Sequence, residues 1–185
     1  MREEFPRLIA GCSTRLNANM WSLTIFTRLR HGEICTLAWK DIDLEAKTIT
    51  VLRNLTPQGL FTPPKTEAGN RVIGMIDAAA EVLLDQRELT RMYPQTLFIF
   101  HTREYGERLE EQKIFVFDAS LDSVNGRSAA YYSTKSPGQI WNSPLRRAGL
   151  RHRKAYQSRH TFACWALSAG ANPNYVIAQM DHLDA

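Results

Sequence analysis

The sequence predicts an α+β fold that is mainly helical and contains a small antiparallel β-sheet or hairpin. Apolar residues recur at helical spacing in several segments, whereas the stretch after Lys47 alternates between polar and apolar residues. A turn-rich segment, TPQGLFTPPKTEAGN, then leads to a second short apolar run, RVIGM. The chain has 185 residues, of which 44% are hydrophobic and 23% charged, so residues 1–185 suit one ordinary globular domain.

Helix caps and apolar spacing predict six helices. Asp77 is a suitable N-cap for one of them, and Ser136 followed by Pro137 is typical of the start of another, which Gly149 would end. Glu33 falls in the first turn of a third helix, where a carboxylate suits the helix dipole. The predicted helices cover residues 19–26, 31–39, 78–92, 137–148, 158–169 and 174–180. The core face of the helix over 78–92 is expected to hold Val82, Leu83, Leu89 and Met92.

The alternating stretch predicts two strands around a long hairpin, with residues 60–62 as a candidate third strand. The faces of the first strand are expected to hold Thr48, Thr50 and Arg53 on one side, and Ile49, Val51 and Leu52 on the other. The runs FIF and FVF fit either strand fragments or buried turns, and residues 102–136 receive no assignment.

Several classes of protein and site are excluded by the sequence. No stretch approaches the roughly 20 apolar residues of a membrane span, and the N-terminus MREEFPRL has no signal-peptide core, so we expect a cytoplasmic protein without membrane contact. Cys12, Cys35 and Cys164 are far apart and lack CxxC spacing, which predicts small buried or half-buried side chains rather than disulfides or zinc ligands. The histidines lack ligand spacing and no nucleotide-binding loop occurs, so no metal or cofactor is predicted.

The net charge of +4 hides a segregation of charge along the chain. Residues 123–180 contain no Asp or Glu, and they hold eight of the 23 Lys and Arg residues, which leaves 15 basic residues against 19 acidic ones elsewhere. Such a segment favours binding to a polyanion, because each phosphate that it neutralises releases counterions. A basic solvent-exposed face with no partner is the alternative. The eight residues of this basic segment are Arg127, Lys135, Arg146, Arg147, Arg151, Arg153, Lys154 and Arg159.

Arg30, Lys65, Arg159 and His182 form the candidate functional set, because they lie at helix ends or in the hairpin rather than on core faces. Two guanidinium groups and one ammonium group suit a site that binds a single phosphodiester, since each arginine can bind two phosphate oxygens and stays charged. Taken singly, each arginine is more often a salt-bridged surface residue than a catalytic one.

Three motifs, in their order along the chain, resemble the catalytic domain of the tyrosine recombinases, the phage integrase family. They are TRLRHGEICTLAWKDIDLEAKTITV, FTPPKTEAGNRVIGM and YQSRHTFACWALSAGANPNYVIAQMDH. The resemblance extends over residues 20–182. Members of this family carry a T-G-L-R-x-x-E-L block, a hairpin lysine, an H-x-x-R-H-T-F block and a G-H pair, followed by a nucleophilic tyrosine.

The resemblance implies a role for each residue of the set. Arg30 and Arg159 match the two catalytic arginines, Lys65 the hairpin lysine and His182 the histidine of the G-H pair, while Glu33 and Asp41 match supporting positions. The family cuts and rejoins double-stranded DNA through a 3′-phosphotyrosyl intermediate without a metal or nucleotide cofactor, and the full-length protein is expected to act as a tetramer on DNA. The rest of the basic segment would track the DNA backbone.

Four departures from the family pattern qualify this resemblance. Arg28 replaces a glycine, which predicts a less tight helix junction, and Asp181 replaces the glycine before His182. Tyr156 replaces a histidine and is expected to contact a phosphate through its hydroxyl group, or else only to pack. No tyrosine follows His182, so we expect the nucleophile, like the N-terminal DNA-binding regions, to be missing from this chain.

Two interpretations of that expectation stay open, a shortened form of a larger integrase and a decayed fragment. A non-catalytic DNA-binding module is the main alternative function, and the related type IB topoisomerases, which share the arginine, lysine and histidine set, are a third.

Overall fold

The computed structural model describes residues 3–64, 70–122, 131–133, 136–152 and 154. The helices in these ranges are α1 Glu4–Ala10, α2 Arg15–Thr27, α3 His31–Thr36, α4 Asp77–Thr90 and α5 Ser136–Arg147. The strands are β1 Ile42–Asp43, β2 Thr48–Val51, β3 Asn54–Leu55, β4 Phe61–Thr62, β5 Arg71–Gly74, β6 Thr96–His101 and β7 Arg108–Lys113. Trp39–Asp41 and Ala119–Asp122 form short 3-10 turns. The mainly helical α+β class is therefore confirmed.

The strands form two small sheets. The three-stranded sheet has the order β1-β2-β5, and β2 pairs antiparallel with β5 in a register that places Val51 opposite Arg71. This confirms the two strands expected around the long hairpin. The second sheet has the order β3-β4-β6-β7, in which β4 is the candidate third strand and pairs with β6 in parallel. That parallel pair departs from the purely antiparallel sheet that we expected.

Helix α2 confirms the buried helix over 19–26 but begins four residues earlier. Thr14 caps it, since its hydroxyl group accepts a hydrogen bond from the backbone N–H of Asn17 at 3.2 Å. Met20 and Leu23 are fully buried and belong to the main core, which also includes Ile49 and Val51 of β2. This helix therefore carries the chain from the surface at Thr14 into the centre of the molecule.

Helix α3 ends three residues before the predicted boundary at Trp39. Its end is set by a contact distant in sequence: the backbone N–H of Trp39 donates to the Ile114 carbonyl, and the N–H of Val116 donates to the Leu37 carbonyl. These bonds take backbone groups that a longer helix would use internally. The run FVF is consequently a buried turn with one isolated bridge to Ala38, while FIF lies in β6.

The expectations for four residues are wrong. Leu52 is exposed and Arg53 is buried, because the strand ends at Val51 and the alternation stops there. Met92 lies beyond the end of α4 and is 93% exposed. Asp77 is the first residue of α4 rather than its N-cap, and its carboxylate accepts a hydrogen bond from Lys47 at 2.6 Å.

A second, smaller core joins α1 and α5 to α2. Trp21 and Trp141 lie 4.2 Å apart between ring centroids, and Leu8 and Leu145 pack beside them. Helix α5 confirms the predicted helix after Ser136, and Gly149 follows it with a φ of 62°, a conformation that glycine adopts at no steric cost. Helix α1 was not expected, and the helices expected over 158–169 and 174–180 lie outside the described residues.

The described cysteines have the burial expected of them. Cys35 is buried and Cys12 half-buried, and both are free thiols. Burial raises the pKa of Cys35 to about 12, and burial raises the pKa of Cys12 to about 11 against a smaller opposing effect of the positive charge on Arg147. Among the described helices none is long and apolar enough to cross a bilayer.

Candidate active site

The junction between α2 and α3 presents Arg30 at a helix start. Arg28 closes α2 with a φ of 57° and a ψ of 23°, and its backbone N–H donates to the Thr24 carbonyl at 3.0 Å. This is the left-handed cap conformation that favours glycine, and here an arginine adopts it. The expectation that this junction is less tight than that of glycine-containing family members stays a prediction. Two residues later, Arg30 is the N-cap residue of α3.

Glu33 holds Arg30 from the third position of α3. Its Oε2 accepts the backbone N–H of Arg30 at 2.7 Å, which satisfies a donor that the helix leaves unused. Its Oε1 accepts a hydrogen bond from Nη1 of Arg30 at 3.2 Å. Glu33 therefore binds both the backbone and the side chain of Arg30.

Arg71, at the start of β5, is the residue that sequence reasoning missed. Its Nη1 donates to Oε1 of Glu33 and its Nη2 to Oε2, each at 3.0 Å, so the pair is bidentate. In the sequence Arg71 follows the segment that contains Lys65, yet its place in a strand gives no sign of a partner 38 positions away. A basic residue at the first position of an otherwise apolar strand was the one available signal.

These three side chains, which we call the Glu33 cluster, contain two cations and one anion. The Glu33 side chain is only 2% exposed and that of Arg71 12%, whereas that of Arg30 is 38% exposed. The most exposed member of the cluster is Arg30. A guanidinium group in this position can bind an anion such as a phosphate group through paired N–H donors.

Asp41, the other supporting residue, forms a separate pair. Its carboxylate binds the Nη2 of Arg53 and accepts the backbone N–H of Ala38 at 2.9 Å, while Nε of Arg53 donates to the Thr36 carbonyl at 3.4 Å. Both charged side chains are 5% exposed. Asp41 therefore fixes the turn after α3 and does not bind Arg30, although it borders a small cleft that Glu33 also lines.

Four members of the basic segment lie in the described residues. Arg146, Arg147, Arg151 and Lys154 occur at the end of α5 and just after it, and all four are exposed. Arg147 also donates from Nη1 to the Gly11 carbonyl at 3.2 Å, and Arg7 donates to the Ala148 carbonyl at 2.7 Å. Arg147 thus helps to attach α5 to the end of α1 as well as adding charge.

The remaining candidates lie outside the described residues. They are Lys65, Arg159, His182 and Tyr156 of the site, and Arg127, Lys135 and Arg153 of the basic segment. Their roles stay predictions. In the part of the chain that is described, no group of three histidine, cysteine or acidic side chains could hold a metal ion.

Comparison with known proteins identifies relatives along the whole chain. The model of the phage integrase family matches residues 2–185. The prophage integrase IntR of Escherichia coli K12 is 46% identical over 165 residues, which cover 89% of this chain and 39% of IntR. IntQ of the same strain, which carries the word defective in its name, is 44% identical over 185 residues, or 100% of this chain and 46% of IntQ. The chain thus spans less than half the length of these curated relatives.

Solved structures share the fold. XerA recombinase superposes with a TM-score of 0.72 at 18% identity, covering 100% of this chain and 56% of that chain. The Tn1549 transposon integrase, solved in complex with circular intermediate DNA, gives a TM-score of 0.71 at 22% identity, covering 99% of this chain and 57% of that chain. The arrangement of helices and sheets described above is therefore the fold of these recombinases.

Proposed function

Because this chain belongs to the phage integrase family, we propose that it is the catalytic domain, residues 1–185, of a site-specific DNA recombinase. The reaction is the cleavage of a DNA strand by a tyrosine, which leaves a 3′-phosphotyrosyl link, and its rejoining to a partner strand. The covalent link conserves the energy of the phosphodiester bond, so cleavage and rejoining can proceed without an external energy source.

The arrangement of Arg30 is the observation that carries this proposal. Glu33 binds its backbone and its side chain, and Arg71 gives the cluster its second cation, while the Arg30 side chain stays 38% exposed. A positioned guanidinium group of this kind can stabilise the charge that develops on the non-bridging phosphate oxygens during attack.

The other site residues complete the proposed chemistry. The tyrosine oxygen attacks phosphorus and the bond to the 5′-oxygen breaks, with Lys65 donating a proton to that leaving oxygen. Arg159 joins Arg30 in binding the non-bridging oxygens, and His182 hydrogen-bonds the same phosphate or assists the nucleophile. Tyr156 contributes a hydroxyl contact. The attacking tyrosine is expected beyond residue 185, since family members place it after the histidine.

DNA binding beyond the reacting phosphate is assigned to the basic segment. Arg127, Lys135, Arg146, Arg147, Arg151, Arg153 and Lys154 would contact successive phosphate groups of double-stranded DNA and would make the affinity strongly dependent on salt. We propose a tetramer on DNA for the full-length protein. We place it in the cytoplasm, where its bacterial and phage relatives would meet DNA.

Covalent trapping tests the proposal. The gene product containing this chain is incubated with a nicked suicide duplex, made from the DNA at the ends of the genetic element that encodes it. We expect a protein–DNA adduct that survives denaturing electrophoresis, forms through a tyrosine after His182 and is lost in Arg30→Ala. The Arg15→Ala variant, which removes an exposed arginine bonded to Asp85 and Glu88, is the matched control and should form the adduct normally. Absence of any tyrosine adduct would contradict the proposal.

A DNA-binding module without catalysis is the second candidate, because IntQ, 44% identical to this chain, is named as defective. The same basic segment would then act alone. This candidate predicts DNA binding that is unaffected by Arg30→Ala and Arg159→Ala but is lost when Arg146, Arg147, Arg151 and Arg153 are neutralised together. The recombinase predicts that Arg30→Ala weakens binding measurably.

A further inference from the structure

We propose that the contact between the C-terminal ends of α1 and α5 is part of the DNA-binding surface, and that Arg7 of α1 binds a DNA phosphate there. This inference rests on the proposed function, in which the basic segment follows the DNA backbone. It adds to that surface a residue near the beginning of the chain, 141 positions before its partner Ala148, which none of the sequence motifs includes.

Two arginines hold the C-terminal ends of α1 and α5 together. Nη2 of Arg7 donates to the Ala148 carbonyl at 2.7 Å, and Nη1 of Arg147 donates to the Gly11 carbonyl at 3.2 Å. The two backbones also approach closely, since a Cβ atom at Gly11 would lie 2.6 Å from the carbonyl oxygen of Pro144. Arg7 is consequently fixed beside the end of α5, where the basic segment is exposed.

The arginines at this contact have no acidic partner in the described part of the chain. Arg7 and Arg147 bind backbone carbonyls, which carry no net charge. The neighbouring Arg146 and Arg151 are exposed and form no ion pair with any described residue. The acidic residue of α1, Glu4, lies in its first turn, whereas Arg7 lies in its last. A guanidinium group has five N–H donors, and the bond to the carbonyl uses one of them, so Arg7 keeps its charge and further donors for an anion.

Electrostatics favours a polyanion as the partner of this surface. Like charges that lie close together repel, and the partial negative charge at the C-terminal end of α5 offsets only part of that repulsion. A row of DNA phosphates offsets the rest, because each cation that neutralises a phosphate releases a condensed counterion. The planar guanidinium group also matches two oxygens of one phosphate. DNA is therefore the partner that the chemistry of this surface fits.

Ring contacts connect this surface to the candidate active site. The ring centroid of Trp141 in α5 lies 4.2 Å from that of Trp21, and the centroid of Trp21 lies 6.2 Å from that of His31, the residue after Arg30. With a rise of about 1.5 Å per residue along α5, the end of that helix lies within roughly 25 Å of Arg30. One turn of a DNA helix extends about 34 Å, so a single duplex can reach both places.

Salt-dependent DNA binding by the 185-residue chain tests this inference without requiring cleavage. The affinity for a 30-base-pair duplex is measured by fluorescence anisotropy over a range of salt concentrations, and the stability of each variant by urea denaturation. Removing one phosphate contact lowers the slope of log affinity against log salt by about 1 and weakens binding about three- to tenfold at 0.1 M salt. We expect this loss in Arg7→Gln. Arg7→Lys keeps the charge and should keep a slope within about 0.3 of wild type.

The matched control is Arg87→Gln. Arg87 is exposed on α4 and, like Arg7, has no acidic partner among the described residues, so this variant changes the net charge equally but leaves the contact between α1 and α5 intact. Its slope should also stay within about 0.3 of wild type. If both Arg7 variants instead lose affinity together with stability, Arg7 only holds the helices together, and the inference is overturned.

The remaining outcomes separate the inference from the proposed function. A wild-type chain whose affinity does not depend on salt would overturn the proposed function. If Arg30→Ala lowers the slope but Arg7→Gln does not, the inference about Arg7 fails while the proposed function stands. An equal loss of slope in Arg7→Gln and Arg87→Gln would indicate a general effect of net charge and would also overturn the inference.

Discussion

The two ion-pair groups around α3 differ in what they leave exposed. At the beginning of the helix, Glu33 is shared by Arg30 and Arg71, and Arg30 remains 38% exposed. After its end, Asp41 and Arg53 form a one-to-one pair in which both side chains are 5% exposed. The first group leaves one arginine side chain accessible to solvent, whereas the second encloses both of its charges.

This difference separates a group of residues with an expected functional role from one with a structural role, although Glu33 and Asp41 lie in the same sequence motif. Glu33 and Asp41 both match supporting positions of the family pattern, and both cap a backbone N–H. Among the described contacts, Glu33 binds two arginines and Asp41 binds one, and only the Glu33 cluster leaves an arginine side chain 38% exposed. Variants of the Asp41–Arg53 pair should therefore change stability, and variants of the Glu33 cluster should change function.

The largest effect is expected from Arg53→Ala. This substitution leaves the buried Asp41 carboxylate without its cation, which typically costs about 3–5 kcal/mol of unfolding free energy. Urea denaturation followed by circular dichroism measures the loss. The double variant Asp41→Leu with Arg53→Met should recover most of it, because no buried charge then remains. A loss below about 1 kcal/mol in Arg53→Ala would show that the pair does not hold the turn.

In contrast to Arg53→Ala, the Arg30→Ala variant should lose activity and keep nearly all of its stability. We expect strand cleavage by the tyrosine-containing gene product to fall by about 10²–10³-fold, as for the loss of one donor to a developing charge. Arg30→Lys should be intermediate, since an ammonium group retains the charge without the paired donors. The unfolding free energy should change by less than about 1 kcal/mol, as for an exposed ion pair. A destabilised Arg30→Ala protein would remove the distinction between the two groups.

Gly32→Ala should affect stability and function together, because α3 connects the two groups. A Cβ atom at Gly32 would lie 2.2 Å from Oδ1 of Asn54 and 2.5 Å from the Leu55 carbonyl oxygen, so α3 would have to move away from β3. Overpacking of this kind costs about 1–3 kcal/mol. The matched control is Gly74→Ala, where a Cβ atom meets nothing within 4 Å. Denaturation and DNA affinity are measured on both variants. Equal stability and equal affinity of the two variants would contradict the close contact between α3 and β3.

The smallest effect concerns the reactivity of Cys35, which lies within α3. With a pKa of about 12, only about one thiol in ten thousand is ionised at pH 8. Alkylation by iodoacetamide should therefore be slow in the folded protein. Arg53→Ala should accelerate it by loosening the end of α3, while Arg30→Ala should not. Rapid alkylation of the wild type would contradict the burial of this thiol.

Much of the fold could be predicted because its signals are local. Alternation identified β2, and the pairing of Ser136 with Pro137 located the start of α5. The early end of α3 could not be predicted, since it depends on hydrogen bonds to residues 114 and 116, more than 70 positions away. Strand β7 was also missed, because its sequence RLEEQK is polar and its partner β6 supplies the apolar face.

The candidate site, like the fold, could be predicted only where its contacts are local in the sequence. The placement of Glu33 in the first turn of α3, directly after Arg30, could be predicted from the sequence. Arg71 reaches Glu33 only because β5 returns along β2 after the hairpin, and no local pattern records that contact. Arg28 was also not predictable, since the left-handed conformation that it adopts is rare for a residue other than glycine.

The central claim is that Arg30 acts by neutralising the charge of the reacting phosphate. Removing that charge from the substrate tests the claim most directly. Cleavage by the wild type and by Arg30→Ala is compared on the suicide duplex and on a second duplex with a neutral methylphosphonate at the scissile position. We predict that the difference between the two proteins shrinks from about 10²–10³-fold to less than about tenfold on the neutral substrate. An undiminished difference would contradict the assignment of Arg30 to the phosphate.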